Sequence, residues 1–208
     1  MKNLLLVVSI LLIPSLVFSV KETKEVEEVK KVEKEKKGTG VKEVIVDNFE
    51  GEKLNWRGIA FISSKEGGQE ESTEDVIKIE LNKNEKYVKN GKQSLKVEYS
   101  VKNPSDLKFA QISITSDKPL GENNAISLWI FKVKGKMSLE FALFDNVSWK
   151  KRLSQAVPLN FEGWKLITLS LNDFTTVPNW SKDNAKVIQI AIRGEGIFYL
   201  DDLKFIKK

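Results

Sequence analysis

The residue types that are missing limit the chemistry that this chain can perform. The 208 residues include neither His nor Cys, which excludes a Ser-His-Asp triad, a Cys nucleophile and a His-ligated zinc or copper site. Carboxylates, hydroxyls, Lys, Arg and Tyr remain for binding or catalysis. The 34 basic and 29 acidic residues are mixed along the sequence without a basic stripe, which argues against a nucleic-acid partner.

Carboxylates near the two ends of the sequence form a candidate calcium site. Asp47 and Glu50 follow the first predicted strand, whereas Asp201 and Asp202 lie in the last one. Because the ends of a domain are often close in space, these groups can converge. Calcium takes about six to eight oxygen ligands from carboxylates and carbonyls, and the turn Asn90-Gly91-Lys92 could add a carbonyl. We therefore predict a calcium ion that ties the two ends together. In the alternative, Asp47 and Asp202 only cap turns.

Three predicted strands place polar and aromatic side chains alternately on one face. Sugar rings stack on flat aromatic faces, while amides, Arg and carboxylates hydrogen-bond to their hydroxyls. Trp149 lies just past one of these strands and could form a wall. The candidate ligand-binding residues are Phe109 and Gln111, Glu140 and Phe144, Gln189 and Arg193, and Trp149. This set predicts a carbohydrate-binding groove.

A catalytic pair of carboxylates is the alternative use of such a groove. Glycosidases need two carboxylates that face each other across a cleft. Glu98 and Glu140 lie on predicted strands and could face a groove, but no local motif supports the pair. Carboxylates on strands are mostly solvated surface charge. We therefore predict that the protein is not an enzyme.

Alternation with a period of two predicts strands from residue 41 onward. Ile188, Ile190 and Ile192 alternate with Gln189 and Arg193, which is typical of a half-buried antiparallel strand. The predicted strands are Glu43–Val46, Ile59–Ser63, Val76–Leu81, Gln93–Val101, Phe109–Thr115, Ala125–Lys132, Ser138–Phe144, Leu153–Val157, Leu166–Leu171, Val187–Ile192 and Gly196–Phe205. Short strands separated by turn residues predict an all-β sandwich or barrel.

The first 40 residues differ in composition from the rest of the chain. Residues 1–19 place one Lys before an apolar run that ends in Val17-Phe18-Ser19, which is typical of a signal peptide cleaved after Ser19. An uncleaved anchor is the alternative, but the run is short for a bilayer span and Pro14 interrupts it. Residues 20–40 are rich in Lys and Glu and predict a solvated, charged linker. We expect a domain over 41–208 that is secreted, or held in the periplasm or cell envelope, without membrane contact after cleavage.

Five segments in this order carry a resemblance to a known family. They are VIVDNFEG (Val44–Gly51) followed by Trp56, VKNGKQSLKVEYS (Val88–Ser100), ISLWIFK (Ile126–Lys132), NFEGWKLITLSL (Asn160–Leu171) and FYLDDLKF (Phe198–Phe205). Together they resemble the jelly-roll carbohydrate-binding modules with a galactose-binding-domain-like fold, over residues 43–207. The resemblance implies an antiparallel β-sandwich with a ligand groove on its concave sheet. It also implies a structural calcium held by Glu50, the carbonyl of Lys92 and Asp201, and core positions for Trp56, Trp129 and Trp164.

Two classes of function stay open at this point. The first is a secreted, non-catalytic module that binds a poly- or oligosaccharide. The second is a structural cell-envelope or flagellar-sheath protein that self-assembles, because ISLWIFKVKG and NFEGWKLITL also resemble the outer-sheath protein of spirochaete flagellar filaments. We take carbohydrate binding as the main prediction, with self-association as an open possibility.

Overall fold

Antiparallel strands make up most of the part of the chain that the structure describes. We describe residues 43–63, 69–72, 76–100 and 107–208 of a computed structural model. The predicted signal peptide and linker, residues 1–40, lie outside the described residues. The strands are β1 (Glu43–Asp47), β2 (Arg57–Ser63), β3 (Gln69–Ser72), β4 (Ile77–Asn82), β5 (Ser94–Tyr99), β6 (Leu107–Thr115), β7 (Ala125–Asp145), β8 (Lys151–Leu153), β9 (Val157–Pro158), β10 (Gly163–Ser170) and β11 (Ala185–Ile206). Among the described residues, the helical elements are three short 3₁₀ turns.

Two long strands connect the two sheets of the sandwich. β7 and β11 contain 21 and 22 residues and pair with each other along most of their length. Around one half of this pair, the first sheet has the order β8-β7-β11-β6-β2-β3. Around the other half, the second sheet has the order β10-β7-β11-β5-β4, and β1 also pairs with β11 there. The predicted all-β antiparallel sandwich is therefore confirmed.

Glycines make the bend at which β7 and β11 pass from one sheet to the other. Gly135 and Gly194 have φ values of 95° and 85°, a region that residues with a side chain rarely adopt. A Cβ atom on Gly135 would lie 2.0 Å from the carbonyl oxygen of Glu195, and one on Gly194 would lie 2.0 Å from that of Lys136. The two strands can therefore stay paired through the bend only because these side chains are absent.

Alternating apolar side chains from both sheets form one core. Ile188, Ile190 and Ile192 are at most 1% exposed, and they pack with residues of the second sheet such as Leu128 and Phe198. The alternation that predicted this face is confirmed. Burying one such side chain contributes about 1.5–3 kcal/mol relative to leaving it in water. A chain without disulfides depends on this core for its stability.

Two of the predicted element boundaries are wrong for a common reason. The predicted strands Ala125–Lys132 and Ser138–Phe144 are one continuous strand, β7. The predicted strands Val187–Ile192 and Gly196–Phe205 are likewise one strand, β11. In both cases a Gly flanked by charged residues, Gly135 or Gly194, separates the two predicted strands, whereas in the structure this segment is a bend within one paired strand. The predicted strand Leu153–Val157 is divided between β8 and β9, and β3 was not predicted.

The prediction that Trp129 and Trp164 belong to the core is also wrong. On β7, Leu128 and Ile130 point inward and are fully buried, so Trp129 between them faces outward and is half-buried. Trp164 packs edge-on against Phe131 on the same outer face, with 5.5 Å between the ring centroids. Trp56, which is 5% exposed, is a core residue as predicted.

We expect Gly194→Ala to destabilise the fold more than Gly163→Ala does. Gly163 also has a positive φ, 70°, but no atom lies within 4 Å of a Cβ placed there, so its substitution adds only the backbone cost of about 1–2 kcal/mol. Gly194→Ala adds to that cost a collision with the carbonyl of Lys136. Unfolding in urea gives both free energies. Equal losses for the two variants would contradict the account of the bend.

Candidate functional site

The first sheet brings four of the predicted ligand-binding residues around one groove. Gln111 on β6, Glu140 on β7, and Gln189 and Arg193 on β11 all line a hollow of about 240 Å³. The remaining lining residues are Ala142, Lys151, Leu153, Ala191 and Ile192. Four neighbouring strands, β8, β7, β11 and β6, thus contribute side chains to the same outward face.

The strand register explains why the hollow exists. Gln111 lies opposite Ala191, and Ala191 lies opposite Glu140 on the next strand. Gln189 lies opposite Ala142. Neighbouring side chains on one face of a sheet stand about 5 Å apart, so two small alanines in the middle of the polar set leave open space between larger neighbours.

One ion pair crosses the groove. Arg193 Nη2 lies 3.3 Å from Glu140 Oε2, and the side chain of Arg193 is 67% exposed, against 22% for Glu140. Such an exposed pair contributes at most about 1 kcal/mol to stability. Its atoms are therefore available to exchange their mutual contact for hydrogen bonds to a ligand.

The aromatic residues predicted for the groove lie at its margins. Phe144 is half-buried on β7, opposite Lys151 of β8, and Lys151 Nζ lies 5.5 Å from the centroid of its ring. Phe109 lies two residues before Gln111 on β6, where its backbone pairs with Phe61. The predicted role of the Phe109 side chain falls outside what the structure describes.

Trp149 projects from the turn between β7 and β8. Its side chain is 74% exposed, and its φ is 57°. Trp149 does not line the hollow itself, but the turn leads directly into Lys151 and Leu153, which do. By contrast, Trp180 packs against the core, and its Nε1 donates to the carbonyl of Leu143 at 3.0 Å.

A buried carboxylate holds the Trp149 turn in shape. Asp145 is 1% exposed. Its Oδ1 accepts from the backbone N–H groups of Val147 and Ser148 at 2.9 and 3.0 Å, and its Oδ2 accepts from that of Ser181 at 3.0 Å. The hydrogen bond from Ser148 and those from the other two amides lower the pKa of Asp145 from 3.8 to about 2. The sequence analysis missed Asp145, because no local motif distinguishes it from a surface Asp.

Lys151 and Leu153 were also missed as groove residues. Alternation alone would have placed them on one face of β8. The strand has only three residues, which is too few for a pattern to stand out.

Two of the carboxylates predicted to bind calcium, Glu50 and Asp201, converge on the turn that contains Lys92. Glu50 Oε1 accepts from the backbone N–H groups of Lys92 and Gln93 at 2.7 and 2.9 Å. Asp201 Oδ2 accepts from those of Lys89 and Asn90 at 2.8 and 3.1 Å. The beginning, the middle and the end of the domain therefore meet here, as the sequence analysis predicts.

Asp201 carries an oxygen whose surroundings fit a cation. The residue is fully buried, and its Oδ1 has no hydrogen-bond partner. Burial raises the pKa of Asp201 in spite of the hydrogen bonds from Asn90 and Lys89. An unsatisfied buried acceptor costs about 1–3 kcal/mol, and a bound cation removes this cost. Among the described residues, however, no group of three or more carboxylates is close enough to hold a metal by itself, so backbone carbonyls or waters have to complete the coordination.

Asp47 has local partners instead. Its Oδ1 accepts from the N–H of Phe49 at 2.7 Å, and its Oδ2 accepts from Trp56 Nε1 at 3.0 Å. Burial raises the pKa of Asp47. These contacts match the alternative in which Asp47 caps a turn.

The backbone next to Glu50 and Asp201 is strained. Phe49 and Asp202 have φ values of 61° and 51°, and this conformation costs about 1–3 kcal/mol.

Comparison with known proteins gives one family match. The family model described as "Lyase, N terminal" matches residues 62–208. The chain belongs to the Lyase, N terminal family. No curated protein matches this member of the family.

Three solved structures with the same fold are carbohydrate-binding modules. A family 11 module from Clostridium thermocellum, in complex with a β-1,3-1,4-mixed-linked tetrasaccharide, shares 14% sequence identity with this chain. The TM-score is 0.58, and the match covers 79% of this chain and 95% of the module. The family 11 module of a cellulosomal cellulase of Clostridium thermocellum shares 15% identity, with a TM-score of 0.58, and the match covers 82% of this chain and 97% of the module. A family 30 module shares 12% identity, with a TM-score of 0.56, and the match covers 80% of this chain and 99% of the module. At these identities the likeness shows the fold, and the predicted jelly roll is confirmed.

We expect Asp145→Asn to lower stability at neutral pH and to make it less sensitive to acid. The pKa of Asp145 is lower in the folded state than its ordinary value of 3.8. Its stabilising contribution is therefore complete above that value and is lost as the pH falls from about 4 to about 2. Melting curves of both proteins at pH 7, 4 and 2.5 give the comparison. A difference between the two proteins that stays constant over this range would contradict the assignment.

Proposed function

We propose that the chain is a secreted, non-catalytic carbohydrate-binding module that binds a poly- or oligosaccharide in the groove of the first sheet. The observation that carries the proposal is the set of Gln111, Gln189 and the Glu140–Arg193 pair around one hollow. The family 11 module of like fold was solved in complex with a β-1,3-1,4-mixed-linked tetrasaccharide, which supports a carbohydrate as the ligand class.

The groove offers complementary groups to the hydroxyls of a sugar. The amides of Gln111 and Gln189 both donate and accept, Arg193 only donates, and Glu140 only accepts. The two alanines between them let a ring approach the sheet. Phe144 and Trp149 at the margins provide the flat apolar surfaces on which sugar rings stack.

The protein would bind carbohydrate without catalysing a reaction, although the name of its family refers to lyases. The carboxylates that the sequence offered as a catalytic pair line different cavities. Glu140 lies in the groove and forms an ion pair with Arg193, whereas Glu98 lies on the second sheet at the bend. A glycosidase needs its two carboxylates about 5–10 Å apart across one cleft.

Secretion is part of the same proposal and rests on residues 1–19. Among the described residues, no helix is long and apolar enough to cross a membrane. Cleavage after Ser19 would give a mature chain that begins at Val20, and N-terminal sequencing of the exported protein tests this. A mature chain that keeps Met1 would contradict cleavage.

We expect the full-length chain to bind polysaccharide on an array of soluble plant and bacterial glycans. Gln189→Ala should weaken binding to the recognised glycan about tenfold, since one or two hydrogen bonds are lost. Gln155, which is exposed outside the groove, provides the matched control, and Gln155→Ala should leave binding unchanged. Titration calorimetry measures both affinities. Equal affinities of the two variants for the glycan would contradict the assignment of the groove as the binding site.

The structural-protein alternative stays a prediction, and sedimentation of the same sample tests it. A chain that binds no glycan and assembles with rising concentration would replace carbohydrate binding by the cell-envelope or flagellar-sheath function. A monomer that binds one class of glycan would support the module.

Calcium is the second part of the proposal. Asp201 Oδ1, Glu50 and the carbonyl of Lys92 are the groups that would hold it, whereas both oxygens of Asp47 already accept from Phe49 and Trp56. The ion would supply structural cross-linking and no catalysis, because it would connect the segment after β1, the turn before β5, and β11. It would take the place that disulfides have in many exported domains.

We expect EDTA to lower the melting temperature of the chain and added calcium to restore it. Asp201→Asn keeps an acceptor for Lys89 and Asn90 but removes the charge, so its melting should not respond to calcium. Asp183→Asn changes an exposed carboxylate elsewhere and should keep the response. A native chain whose melting is insensitive to both EDTA and calcium would contradict the calcium site.

A further inference from the structure

A second hollow lies on the outer side of the second sheet, at the bend of β7 and β11. Its volume is about 290 Å³, and its lining residues come from the end of β5 and from the bends of both long strands. It shares no lining residue with the groove. We call it the bend pit.

The side chains that surround the bend pit are set by the strand register. Lys134 lies opposite Ile197, and Ile197 lies opposite Glu98 on β5. Glu195 lies two residues before Ile197 on β11, opposite Lys136 of β7. The pit therefore combines one apolar side chain, two carboxylates and an ammonium group.

Two of these charged groups have no ion-pair partner in the described part of the chain. The ion pairs among described residues include Glu98, which lies 3.5 Å from Lys96 Nζ, but neither Glu195 nor Lys134. Both are exposed. Glu195 can accept hydrogen bonds, and Lys134 can donate three.

Two glycines form part of the wall of the pit. Gly135 and Gly196 lie opposite each other, and a Cβ on Gly196 would lie 2.1 Å from the carbonyl oxygen of Lys134, so the two strands are in close backbone contact there. Both glycines line the pit, so a ligand would meet backbone at these positions. Tyr99 lies opposite Gly196 and is 2% exposed. Burial raises the pKa of its hydroxyl, and the charge of Glu195 raises it further, so Tyr99 stays a neutral phenol at neutral pH.

The charges around the pit select the ligand class. The volume of about 290 Å³ is close to the lower end of the usual range for ligand sites, about 300–1,000 Å³, so the pit can hold a small ligand. An amine would meet Lys134, whereas a carboxylate would meet Glu98 and Glu195. A neutral polyol satisfies the acceptors and the donor at once, because each of its hydroxyls both donates and accepts.

We propose that the bend pit is a second sugar site, which binds a single neutral pyranose such as a chain end or a side-chain residue. This proposal is independent of the groove, because no lining residue is shared. A molecule with both sites holds two sugar segments at once, which strengthens attachment to a surface that presents many of them.

The test is a titration of the full-length, ¹⁵N-labelled chain with the methyl glycosides of glucose, galactose, mannose and xylose, each added separately. We expect at least one of them to shift the backbone amide signals of Gly135 and Gly196 saturably, in the millimolar range. Glu195→Ala should weaken this response about tenfold or more, as expected when hydrogen bonds to a charged group are lost. Glu162→Ala, which removes an exposed carboxylate elsewhere, should leave it intact, and so should Gln189→Ala in the groove.

Three results would overturn the bend pit as a sugar site. They are the absence of any saturable shift with all four glycosides, an unchanged response in Glu195→Ala, and equal or tighter binding of glucosamine or glucuronate. If polysaccharide binds while the pit signals stay constant, the groove proposal stands and the bend pit does not. If the pit responds while no polysaccharide binds in the groove, the reverse holds.

Discussion

The antiparallel pairing of β7 with β11 is the interaction on which the rest of the structure depends. These two strands run side by side through both sheets, so every other described strand except β2, β3 and β4 pairs with one of them. Their first-sheet halves carry Glu140, Gln189 and Arg193 of the groove. Their shared bend forms the pit, and the far end of β11 supplies Asp201 to the candidate calcium cluster. A shift of one residue in this register would turn the groove side chains toward the core.

The absence of Cys gives the polar clusters a structural role that disulfides often have. Asp145 fixes the Trp149 turn through three backbone amides, and Glu50 and Asp201 fix the turn at Lys89–Gln93 through four. In each case a carboxylate accepts hydrogen bonds from consecutive N–H groups of a turn, and such charge-assisted bonds are stronger than neutral ones. Asp145 achieves this with no unsatisfied oxygen, whereas Asp201 keeps one. That difference is the physical reason to expect a cation at Asp201 and none at Asp145.

Much of the fold and part of the site could be predicted from the sequence. Alternation identified which side chains of β11 point inward, and it correctly grouped Gln189 and Arg193 with Glu140 and Gln111 on one outward face. The resemblance misplaced Trp129 and Trp164 in the core, and alternation could not correct it, because alternation shows which residues share a face but not which face is buried when both are rich in apolar residues. Alternation also failed at the bend, because glycines such as Gly135 and Gly194 are typical of turns between strands. The partners of Asp145 could not be predicted, since Ser181 is distant in sequence and only the tertiary fold brings it close.

The central claim is that the polar face of the first sheet is a carbohydrate-binding surface. Its most direct test is a crystal structure, or a map of ¹⁵N chemical-shift changes, of the chain saturated with soluble β-glucan, xylan or mannan hexasaccharides. The account predicts that at least one of these shifts the side-chain amide signals of Gln111 and Gln189 and the Nε–H signal of Arg193, or shows a sugar in contact with them. Binding that leaves all three unchanged and perturbs only other surfaces would contradict it.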